Sequence, residues 1–595
     1  MLRNDYPRPQ FVRDSWLNLN GEWEFEYDDD NAGERERWYD ERALNRQIEV
    51  PFCFQSKLSG IGETACHDIV WYRRSVTLPA AFDGKRALLH FGAVDYEAKV
   101  WVNGRLAVTH EGGHTPFHAD VTDLLQSGSN TIVVRAQDYS KDLTLPRGKQ
   151  YWKEKSAGIF YTPTTGIWQT VWMEPVSDIR LDKLRLTPDI DSNSIDLQAF
   201  HAGAIGGNDV RLTVKISYQG EAVTEDEIRI QEAEAHRLIH LNDRKRDVGA
   251  RRLWTPSAPN LYDAELTLQV NGQTVDRVQT YFGMRKISVA DGKICLNNRP
   301  YRMKMVLDQG YFPDGILTPP SDEAIRRDVE LTKEMGFNGA RKHQKIEDPR
   351  YMYWCDKLGL LVWGEMANAY HYSPAYVKRV TKEWQEAVER DYNHPCIVAW
   401  VPLNESWGAP DILNDKQQQQ HALSLYYLTK SLDPMRPVIS NDGWEHVKSD
   451  ICTIHDYAWS KEVLKERYST AEKAVSALPA NTWIYAAGYS YDGEPIHLSE
   501  FGGISFRKSD WEGWGYSSAK DDKDFVERLA AVVHPILASP VVQGYCYTQL
   551  TDVEQEINGL LTYDRQPKIP LEWIKAINEG KTPVIESLND ADAGK

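Results

Sequence analysis

Two short stretches of the sequence each place a glutamate directly after a run of largely apolar residues. The run 396–403 is followed by Asn404-Glu405, and the run 495–499 is followed by Glu500. A carboxylate at the end of a buried strand is costly to keep charged, so such a residue commonly has a function. For the first stretch alone, a turn or helix cap around Asn404 explains the residues equally well. The second glutamate favours the functional interpretation.

The sequence spacing of the two glutamates suits a pair that acts together. Glu500 follows Glu405 by 95 positions, enough for about three strand–helix units of an α/β barrel. Carboxyl groups on non-adjacent strand ends can face each other across the barrel mouth. At about 5–5.5 Å apart, one attacks the anomeric carbon of a sugar while the other protonates the leaving oxygen. The pair therefore indicates glycoside hydrolysis with retention, which needs one neutral and one ionised carboxyl group.

The first part of the chain has the pattern of an all-β domain. From residue 7 to residue 175, short alternating segments such as 21–27 are separated by turns, and Asn103-Gly104 is a strong hairpin signal. No convincing amphipathic helix pattern interrupts this region. We expect a jelly-roll β-sandwich over residues 1–175.

A second all-β segment follows. Residues 210–216 and 264–270 alternate apolar and polar side chains, and Asn271-Gly272 ends the latter with a tight turn. About 110 residues of short strands without helices suit an immunoglobulin-like β-sandwich. We expect this domain over residues 176–285.

The remaining residues, 286–595, alternate between helix and strand patterns. Residues 322–335 and 377–392 fit amphipathic helices, whereas 360–363 and 396–403 fit buried strands. Repetition of this unit over about 300 residues predicts a (β/α)8 TIM barrel. A doubly wound sheet is the competing fold, but no glycine-rich phosphate loop follows any of the strands.

The order of these segments and several short motifs resemble glycoside hydrolase family 2, which includes β-galactosidases, β-glucuronidases and β-mannosidases. The motifs are Asn404-Glu405, Ser-Glu-Phe-Gly at 499–502, and smaller matches at 166–172, 254–262 and 282–285. The resemblance covers nearly the whole chain. It implies a retaining, exo-acting glycosidase in which Glu500 is the nucleophile and Glu405 the acid/base.

The resemblance also implies roles for residues around the glutamates. Asn404 would hydrogen-bond the sugar 2-hydroxyl, an interaction that strengthens in the transition state. Arg341, at a predicted strand end, would hold Glu500 ionised. Tyr457 is a candidate to hydrogen-bond the nucleophile, and His455 could contact the sugar instead. A packing role is the alternative for these supporting residues.

The sugar that is cleaved is less constrained. The family's glucuronidases carry an Asn-x-Lys motif near the last barrel strand, whereas here Asn558 is followed by Gly559 and Leu560. The acids Glu554 and Glu556 would repel a uronate. A β-galactosidase is the leading expectation, because that is the family's commonest activity.

Other glycones stay open, namely β-glucuronide, β-mannoside and an arabinoside. Basic residues in the stretches 341–345 and 147–152 could form a cationic subsite for an acidic sugar, although solvated loop lysines are the commoner explanation. Asp308 is a further pocket candidate that could grip a sugar hydroxyl. Relatives often place a tryptophan near Thr548-Gln549, so the shape of the sugar subsite is undetermined.

Composition limits the classes of partner. A formal net charge of −18 argues against nucleic acid, which needs a basic face. No apolar run is long enough to span a membrane, and the polar start argues for a cytoplasmic protein without a signal peptide. The seven cysteines include no CxxC pair, so we expect reduced thiols.

No motif indicates an organic cofactor, and no metal site is predicted. Glu365 follows a predicted strand and could bind a cation, but pairing with an arginine explains it equally well. The expected partner is a glycoside or oligosaccharide, and the resemblance favours a homo-oligomer. A catalytically inactive carbohydrate-binding protein is the alternative from another class. It is disfavoured because both glutamates, Asn404 and Arg341 are present.

Overall fold

The structure, a computed structural model, describes residues 3–40, 42–242, 252–508, 512–583 and 585. It contains two β-sandwiches followed by an α/β barrel, which confirms the predicted fold class. The two ends of the predicted domain scheme, residues 1–2 and 586–595, lie outside the described residues. No helix in the described ranges is both long and apolar enough to cross a membrane.

The first sandwich is built from two main sheets that pack on a shared core. In β2, Trp23 and Phe25 point inward while Glu22 is exposed, so the alternating sequence determines which face is buried. The sheets have the strand orders β1-β12-β5-β9 and β3-β2-β4-β10-β7-β8, and β6 pairs with β11. The strands are β1 (Leu17–Asn18), β2 (Gly21–Tyr27), β3 (Arg46–Val50), β4 (Ile69–Thr77), β5 (Arg86–Phe91), β6 (Val94–Asp95), β7 (Glu97–Val102), β8 (Arg105–Glu111), β9 (Phe117–Asp120), β10 (Ser129–Gln137), β11 (Gly166–Ile167) and β12 (Val171–Val176).

The second sandwich follows the same rule. Val210, Leu212, Val214 and Ile216 are buried on one face of β15, and the residues between them face outward. The sheets have the orders β13-β14-β17 and β16-β15-β20-β21, with a small β18–β19 pair. The strands are β13 (Arg180–Asp189), β14 (Ser194–Ala202), β15 (Val210–Tyr218), β16 (Glu221–Ile230), β17 (Glu234–His240), β18 (Trp254–Thr255), β19 (Ala258–Pro259), β20 (Tyr262–Val270) and β21 (Gln273–Phe282).

The barrel sheet is parallel, and most of its strands are buried along their whole length. That burial explains their continuous apolar sequences. A three-stranded antiparallel sheet, β22-β23-β24, precedes it, and the seven parallel strands have the order β28-β27-β26-β25-β33-β30-β29. The strands are β22 (Ile287–Ala290), β23 (Lys293–Leu296), β24 (Arg299–Pro300), β25 (Met303–Asp308), β26 (Gly339–Lys342), β27 (Leu361–Glu365), β28 (Ile397–Val401), β29 (Cys452–Asp456), β30 (Ile496–Gly502), β31 (Ile504–Ser505), β32 (Ser517–Ser518) and β33 (Val542–Thr548).

An irregular segment, residues 438–442, lies beside β28 on its open edge. Parallel bridges join Val438 to Trp400 and Asp442 to Asn404. Asp442 N–H also donates to the carbonyl of Leu403 at 2.9 Å. This segment therefore occupies the position of an eighth barrel strand and brings Asp442 to the end of β28.

The helices pack outside the barrel strands and begin at the caps that the sequence provides. Ser321 and Asp348 accept backbone N–H groups at the starts of the first two helices, from Ala324 and Arg350. The helices are α1 (Asp322–Glu334), α2 (Pro349–Leu358), α3 (Pro374–Asp391), α4 (Lys416–Leu432), α5 (Lys461–Arg467), α6 (Ala471–Ser476), α7 (Asp522–Ala538) and α8 (Leu571–Asn578).

Buried ion pairs fasten the three domains together. Arg13 bonds both Glu174 of the first sandwich and Asp276 of the second, at 2.8 and 2.9 Å. Arg3 pairs with Asp348 at the start of α2, at 2.9 Å. Removing one partner would leave a buried charge uncompensated, which is strongly destabilising. The sandwich loops are thus held in a fixed position over the barrel.

Candidate active site

Glu405 and Glu500 meet at the end of the barrel where the parallel strands finish. One carboxylate oxygen of each glutamate and one ring nitrogen of His455 all lie within 4.8 Å of one another. Glu500 is 5% exposed and lies within β30, whereas the Glu405 side chain is 19% exposed and follows β28. One carboxylate is thus enclosed while the other can be reached from outside.

The loop after β28 holds Glu405 in an uncommon backbone conformation. Glu405 and Ser406 have φ values of 51° and 61°, in the left-handed region that non-glycine residues rarely adopt. The Glu405 N–H donates to the carbonyl of Asp442 at 3.0 Å, and the Ser406 N–H donates to the Asn441 side chain at 2.9 Å. Strain of this kind persists only where surrounding contacts enforce it, and it is concentrated at functional sites.

Glu500 is held by two donors. Arg341 Nη1 lies 2.9 Å from Oε1, and the Tyr457 hydroxyl donates to Oε2 at 2.6 Å. Burial opposes the charged form, but the nearby His455 and Arg341 outweigh it and lower the pKa of Glu500. The carboxylate is therefore ionised at neutral pH.

Arg341 is the fixed cation at the centre of the site. It is fully buried. Its guanidinium bonds Glu365 at 2.6 Å and Asp442 at 2.7 Å, in addition to Glu500. Its third nitrogen donates to Asn404 Oδ1 at 2.6 Å. A planar guanidinium presents five N–H groups in a rigid fork, so it fixes the positions of all these acceptors.

His455 lies between Glu405 and Asp442. Its Nδ1 is 2.7 Å from Glu405 Oε1, and its Nε2 is 2.7 Å from Asp442 Oδ2. Burial acts against a charged ring, but the carboxylates of Glu500 and Asp442 outweigh it and raise the pKa of His455 to about 10. The ring is therefore an imidazolium near neutral pH, and both of its nitrogens donate.

Asn404 has one side-chain atom to spare. Its Oδ1 accepts from Arg341, whereas its buried Nδ2 has no hydrogen-bond partner among the described residues. Buried donors without partners are uncommon and call for an explanation. A ligand hydroxyl at this position would supply the missing acceptor.

Asp308 is the predicted site residue that the structure does not bring to this group. Its carboxylate bonds Lys342 at 2.7 Å, and Lys342 also bonds Glu347 at 2.8 Å. Successive side chains on a strand point to opposite faces, so Arg341 lies inside the barrel while Lys342 packs over the Tyr351 ring in α2. Asp308, opposite Lys342 in register, shares that outward direction. The expected grip on a sugar hydroxyl is not supported.

The basic stretch 341–345 is neutralised within the protein. Lys345 bonds Glu347 at 2.9 Å, and Glu347 is shared with Lys342. Glu365 pairs with Arg341, which is the arginine pairing considered for it as the alternative to cation binding. These residues are therefore occupied by internal contacts rather than offered to a ligand.

Among the residues that the structure describes, two sets have the donor types for a metal ion. Glu405, His455 and Glu500 form one set, and Asp356, His394 and Cys396 form the other. In the first set, an imidazolium offers no lone pair to a metal. In the second set, Asp356 already accepts from the His394 ring at 2.5 Å and from the Cys396 N–H at 2.9 Å. Hydrogen bonds among these residues explain why the members of each set lie close together.

The structure adds site residues that the sequence reasoning missed. Asp442 follows a short run in which apolar Val438-Ile439 precede polar residues, so the strand-end rule could have found it. Tyr516 stacks on Tyr457 with ring centroids 3.4 Å apart. Nothing in the sequence near Tyr516 indicates this contact, because the two residues come together only in the folded barrel.

Aromatic side chains from two domains border the barrel mouth. They form a connected group with centroid separations of 4.8 to 5.8 Å, made of Tyr151, Trp152, Phe160, Tyr370 and Trp407. Three of the five come from the sandwich loop that follows β10, and two come from the barrel. The site is therefore walled on one side by the first domain.

Three sequence models of a single family match consecutive parts of the chain. The model "Glycosyl hydrolases family 2, sugar binding domain" matches residues 17–162. "Glycosyl hydrolases family 2" matches residues 179–285, and "Glycosyl hydrolases family 2, TIM barrel domain" matches residues 287–480. Each match falls within one of the three domains described above, and the third ends before β30.

Similar curated proteins carry different activity names. A putative β-glucuronidase from Formosa agariphila is 29% identical over 379 residues, which are 62% of this chain and 44% of that protein. A β-galactosidase from Thermoanaerobacter pseudethanolicus is 27% identical over 366 residues, which are 60% of this chain and 47% of that protein. The matched residues thus span less than half the length of these two relatives.

Among solved structures, the β-glucuronidase from Ruminococcus gnavus in complex with D-glucuronic acid is similar. Its TM-score is 0.76 at 19% sequence identity, over 96% of this chain and 98% of that chain. At that identity the likeness shows a shared fold. The fold, the three successive domain matches and the resemblance in sequence motifs agree, and the chain belongs to glycosyl hydrolases family 2.

Proposed function

We propose that the protein is a retaining glycoside hydrolase in which Glu500 is the nucleophile and Glu405 the acid/base. The observation that carries this proposal is that one carboxylate oxygen of Glu405 and one of Glu500 lie within 4.8 Å of each other. Retaining enzymes hold the pair about 5–5.5 Å apart, whereas inverting enzymes need about 6.5–9.5 Å to admit a water molecule between the sugar and the base. The gap here suits direct attack.

In the first step, a Glu500 oxygen attacks the anomeric carbon and the glycosidic C–O bond breaks. The proton of Glu405 passes to the leaving oxygen, so the aglycone departs as a neutral alcohol. Arg341 and Tyr457 keep Glu500 ionised and oriented for this attack. Because His455 donates to Oε1 of Glu405, the transferable proton belongs on Oε2.

In the second step, water replaces the aglycone. Glu405, now ionised, takes a proton from the water, and the resulting hydroxide attacks the anomeric carbon of the glycosyl ester. The ester bond breaks, Glu500 returns as a carboxylate, and Glu405 regains its proton. Throughout, the spare Nδ2 of Asn404 can donate to the sugar 2-hydroxyl.

Two glycones are supported by particular observations. A β-galactosyl group is supported by the relative named β-galactosidase and by the absence of an Asn-x-Lys motif. A β-glucuronyl group is supported by several relatives named β-glucuronidase. In the stretch where the motif is missing, Asn558 accepts from Gln549 at 2.7 Å, and the nearby Lys568 pairs with Asp552 at 2.6 Å. Lys568 is therefore not a free cation.

Action on chain ends is the mode that the aromatic border favours. The side chains of Trp152 and Phe160 stand against Tyr370, so the sandwich loop closes one side of the mouth. An inactive carbohydrate-binding protein has less support, since the two carboxylates, the guanidinium and the tyrosine are all in hydrogen-bonding positions.

The configuration of the first product tests the mechanism. Proton NMR of the sugar released from an aryl β-glycoside should show the β-anomer before mutarotation. Initial release of the α-anomer would mean inversion and would overturn the proposal. Glycosides that differ at C2, C4 and C6 would identify the glycone.

A further inference from the structure

Lys149 is a buried lysine beside the catalytic group, and it comes from the first sandwich rather than from the barrel. It lies in the loop between β10 and β11 and is 6% exposed. Its ammonium stands 5.4 Å from the ring centroid of Trp407, two residues after Glu405, and 5.8 Å from that of Tyr161. The sandwich thus places a cation at the mouth of the barrel.

The loop is fixed to the barrel by backbone contacts next to this lysine. The N–H groups of Arg147 and Gly148 donate to the carbonyl of Asn368 at 3.2 and 3.0 Å. Gly148 has a φ of +60°, and a Cβ at this position would lie 2.1 Å from the carbonyl oxygen of Gln344. Only glycine permits this approach. The position of Lys149 therefore follows from the docking of the loop.

Lys149 lacks the carboxylate partner that other buried lysines near the barrel have. Lys342, Lys345 and Lys568 are also buried near the barrel, and each has a carboxylate within 2.9 Å. Across the ranges that the structure describes, no carboxylate oxygen lies within 4.0 Å of Lys149 Nζ and no hydrogen bond from that atom is found. The Lys149 side chain is largely enclosed, and an enclosed ammonium without a counter-ion is costly. A ligand anion would offset that cost.

The titratable neighbours of Lys149 flank the nucleophile, and neither forms an ion pair with its ammonium. Its positive charge acts on the pKa values of Glu556 and His343, and both residues also interact with Glu500. Burial raises the pKa of Glu556, which accepts from the Tyr161 hydroxyl, while the positive charge of Lys149 acts to lower it. Burial, reinforced by Arg341, holds the pKa of His343 well below its usual range, so its ring is neutral.

We propose that Lys149 determines specificity by binding the carboxylate of a uronic acid glycone. The inference deepens the proposed function and rests on it, since it assigns the substrate class of the same site. A uronate carboxylate would pair with the ammonium in a desolvated pocket, whereas a neutral sugar would leave the ammonium unpaired. Sites with a buried polar group reject analogues that cannot satisfy it.

This assignment revises the sequence argument against a uronide. That argument rested on the barrel stretch 554–560, where the Asn-x-Lys motif is absent, and it left the basic stretch 147–152 open as a cationic subsite. The cation instead reaches the pocket from a different domain.

The test compares substrates that differ only at C6. The 4-nitrophenyl β-glucuronide is paired with the β-glucoside, and the β-galacturonide with the β-galactoside. Wild-type protein should favour the uronide in one pair by about 100-fold or more in kcat/KM, and Lys149→Met should remove roughly that factor from the ratio. Lys149→Arg should restore part of it. Lys153→Met, which changes an exposed lysine of the same loop, is the matched control and should leave the ratio unaltered.

Three results would overturn the inference. One is a wild-type kcat/KM for both neutral sugars that equals or exceeds that for their uronides. Another is a Lys149→Met variant that slows the members of a pair equally, which indicates a structural role. The third is unchanged calorimetric binding of D-glucuronate and D-galacturonate by this variant.

The proposed function fails on different observations. Hydrolysis of neutral glycosides alone would sink the inference and leave the hydrolase intact. Lys149-dependent uronate binding without hydrolysis of any glycoside would do the reverse.

Discussion

The Nδ1 atom of His455 lies 2.7 Å from Oε1 of Glu405. Because the neighbouring carboxylates outweigh burial and raise the pKa of His455 to about 10, the ring carries a proton on both nitrogens near neutral pH. Oε1 of Glu405 is therefore committed as an acceptor. In the proposed mechanism, the proton that passes to the leaving group is therefore carried by the other oxygen, Oε2.

Replacing either glutamate should lower activity, but with a different dependence on the leaving group. Glu405→Ala should reduce kcat/KM by about 10²- to 10⁴-fold for an alkyl glycoside, because protonation of its oxygen is lost. The reduction should be much smaller for a 2,4-dinitrophenyl glycoside, whose leaving group needs no proton. Glu500→Ala should cost on the order of 10⁴-fold or more for both substrates.

The matched control for these variants is Glu466→Ala, a change at an exposed glutamate of α5. It should leave both rates unchanged, and circular dichroism should show that all three variants are folded. Full activity in either site variant would contradict the assignment of the pair.

Tyr457→Phe should lower kcat by about 10- to 100-fold. The change removes the hydroxyl that donates to Glu500 Oε2 at 2.6 Å, and hydrogen bonds to a charged group contribute about 1.5–3 kcal/mol. The ring would still stack on Tyr516, so the melting temperature should change little. Steady-state kinetics with an aryl glycoside would measure the effect.

Tyr427→Phe provides the comparison, because this tyrosine is exposed on α4 and its hydroxyl contacts Lys448. Equal kinetics for Tyr457→Phe and the wild-type protein would show that Glu500 needs no second donor.

Asn404→Ala and removal of the sugar 2-hydroxyl should be coupled. If the spare Nδ2 donates to that hydroxyl, the wild-type protein should lose rate on a 2-deoxy substrate, and the variant should lose much less. Such a cycle isolates the pairwise interaction from other effects of either change. If the losses in kcat/KM from Asn404→Ala and from removal of the 2-hydroxyl simply add, the 2-hydroxyl does not contact Asn404.

Stability should fall with rising pH because of Glu383, a fully buried acid in α3. Burial raises the pKa of Glu383 to about 8, above its unfolded value. The folded protein keeps a proton that the unfolded chain releases, so this contribution is fully present below about pH 4.5 and is lost as pH rises towards 8. Glu383→Gln should therefore raise the melting temperature at pH 9 more than at pH 5. Scanning calorimetry at a fixed rate would measure it.

Glu389→Gln, on the same helix, is the control with the opposite sign. Its half-exposed carboxylate pairs with Lys183 at 2.7 Å, and although burial opposes ionisation, this contact lowers its pKa. Its replacement should give no gain at pH 9. Burial also raises the pKa of Asp95 to about 8. The melting temperature of both variants should therefore still fall in part as the pH rises.

Much of the site could be predicted because of one geometric rule. Parallel strands end at the same edge of a barrel, so Glu405 and Glu500, which follow apolar runs, were expected to face each other, whereas the position of Arg341 came from the family resemblance. The same rule failed for Asp308, since a shift of one residue along a strand turns the side chain to the opposite face. Knowing only that a residue lies near the end of a strand therefore does not show whether its side chain points into the barrel or outward.

Other residues needed the tertiary structure. Asp442 follows the apolar pair Val438-Ile439, but isolated bridges rather than a regular strand hold its segment beside β28, so the sequence signal there is short and weak. Lys149 looks like any other cation of a polar loop until the loop is docked. Burial of that lysine depends on contacts with Trp407, more than 250 positions away, which no local pattern records.

The hydrogen bonds from residues 147–148 to Asn368 have a consequence for how this molecule could be altered. In the two proposals made above, the barrel supplies the carboxylates that cleave the bond and the first sandwich supplies the cation that recognises the sugar. Replacing the loop between β10 and β11 with another loop of the same length would change the sugar specificity and leave Glu405 and Glu500 in place. The junction between the domains is therefore the natural point at which to redesign selectivity.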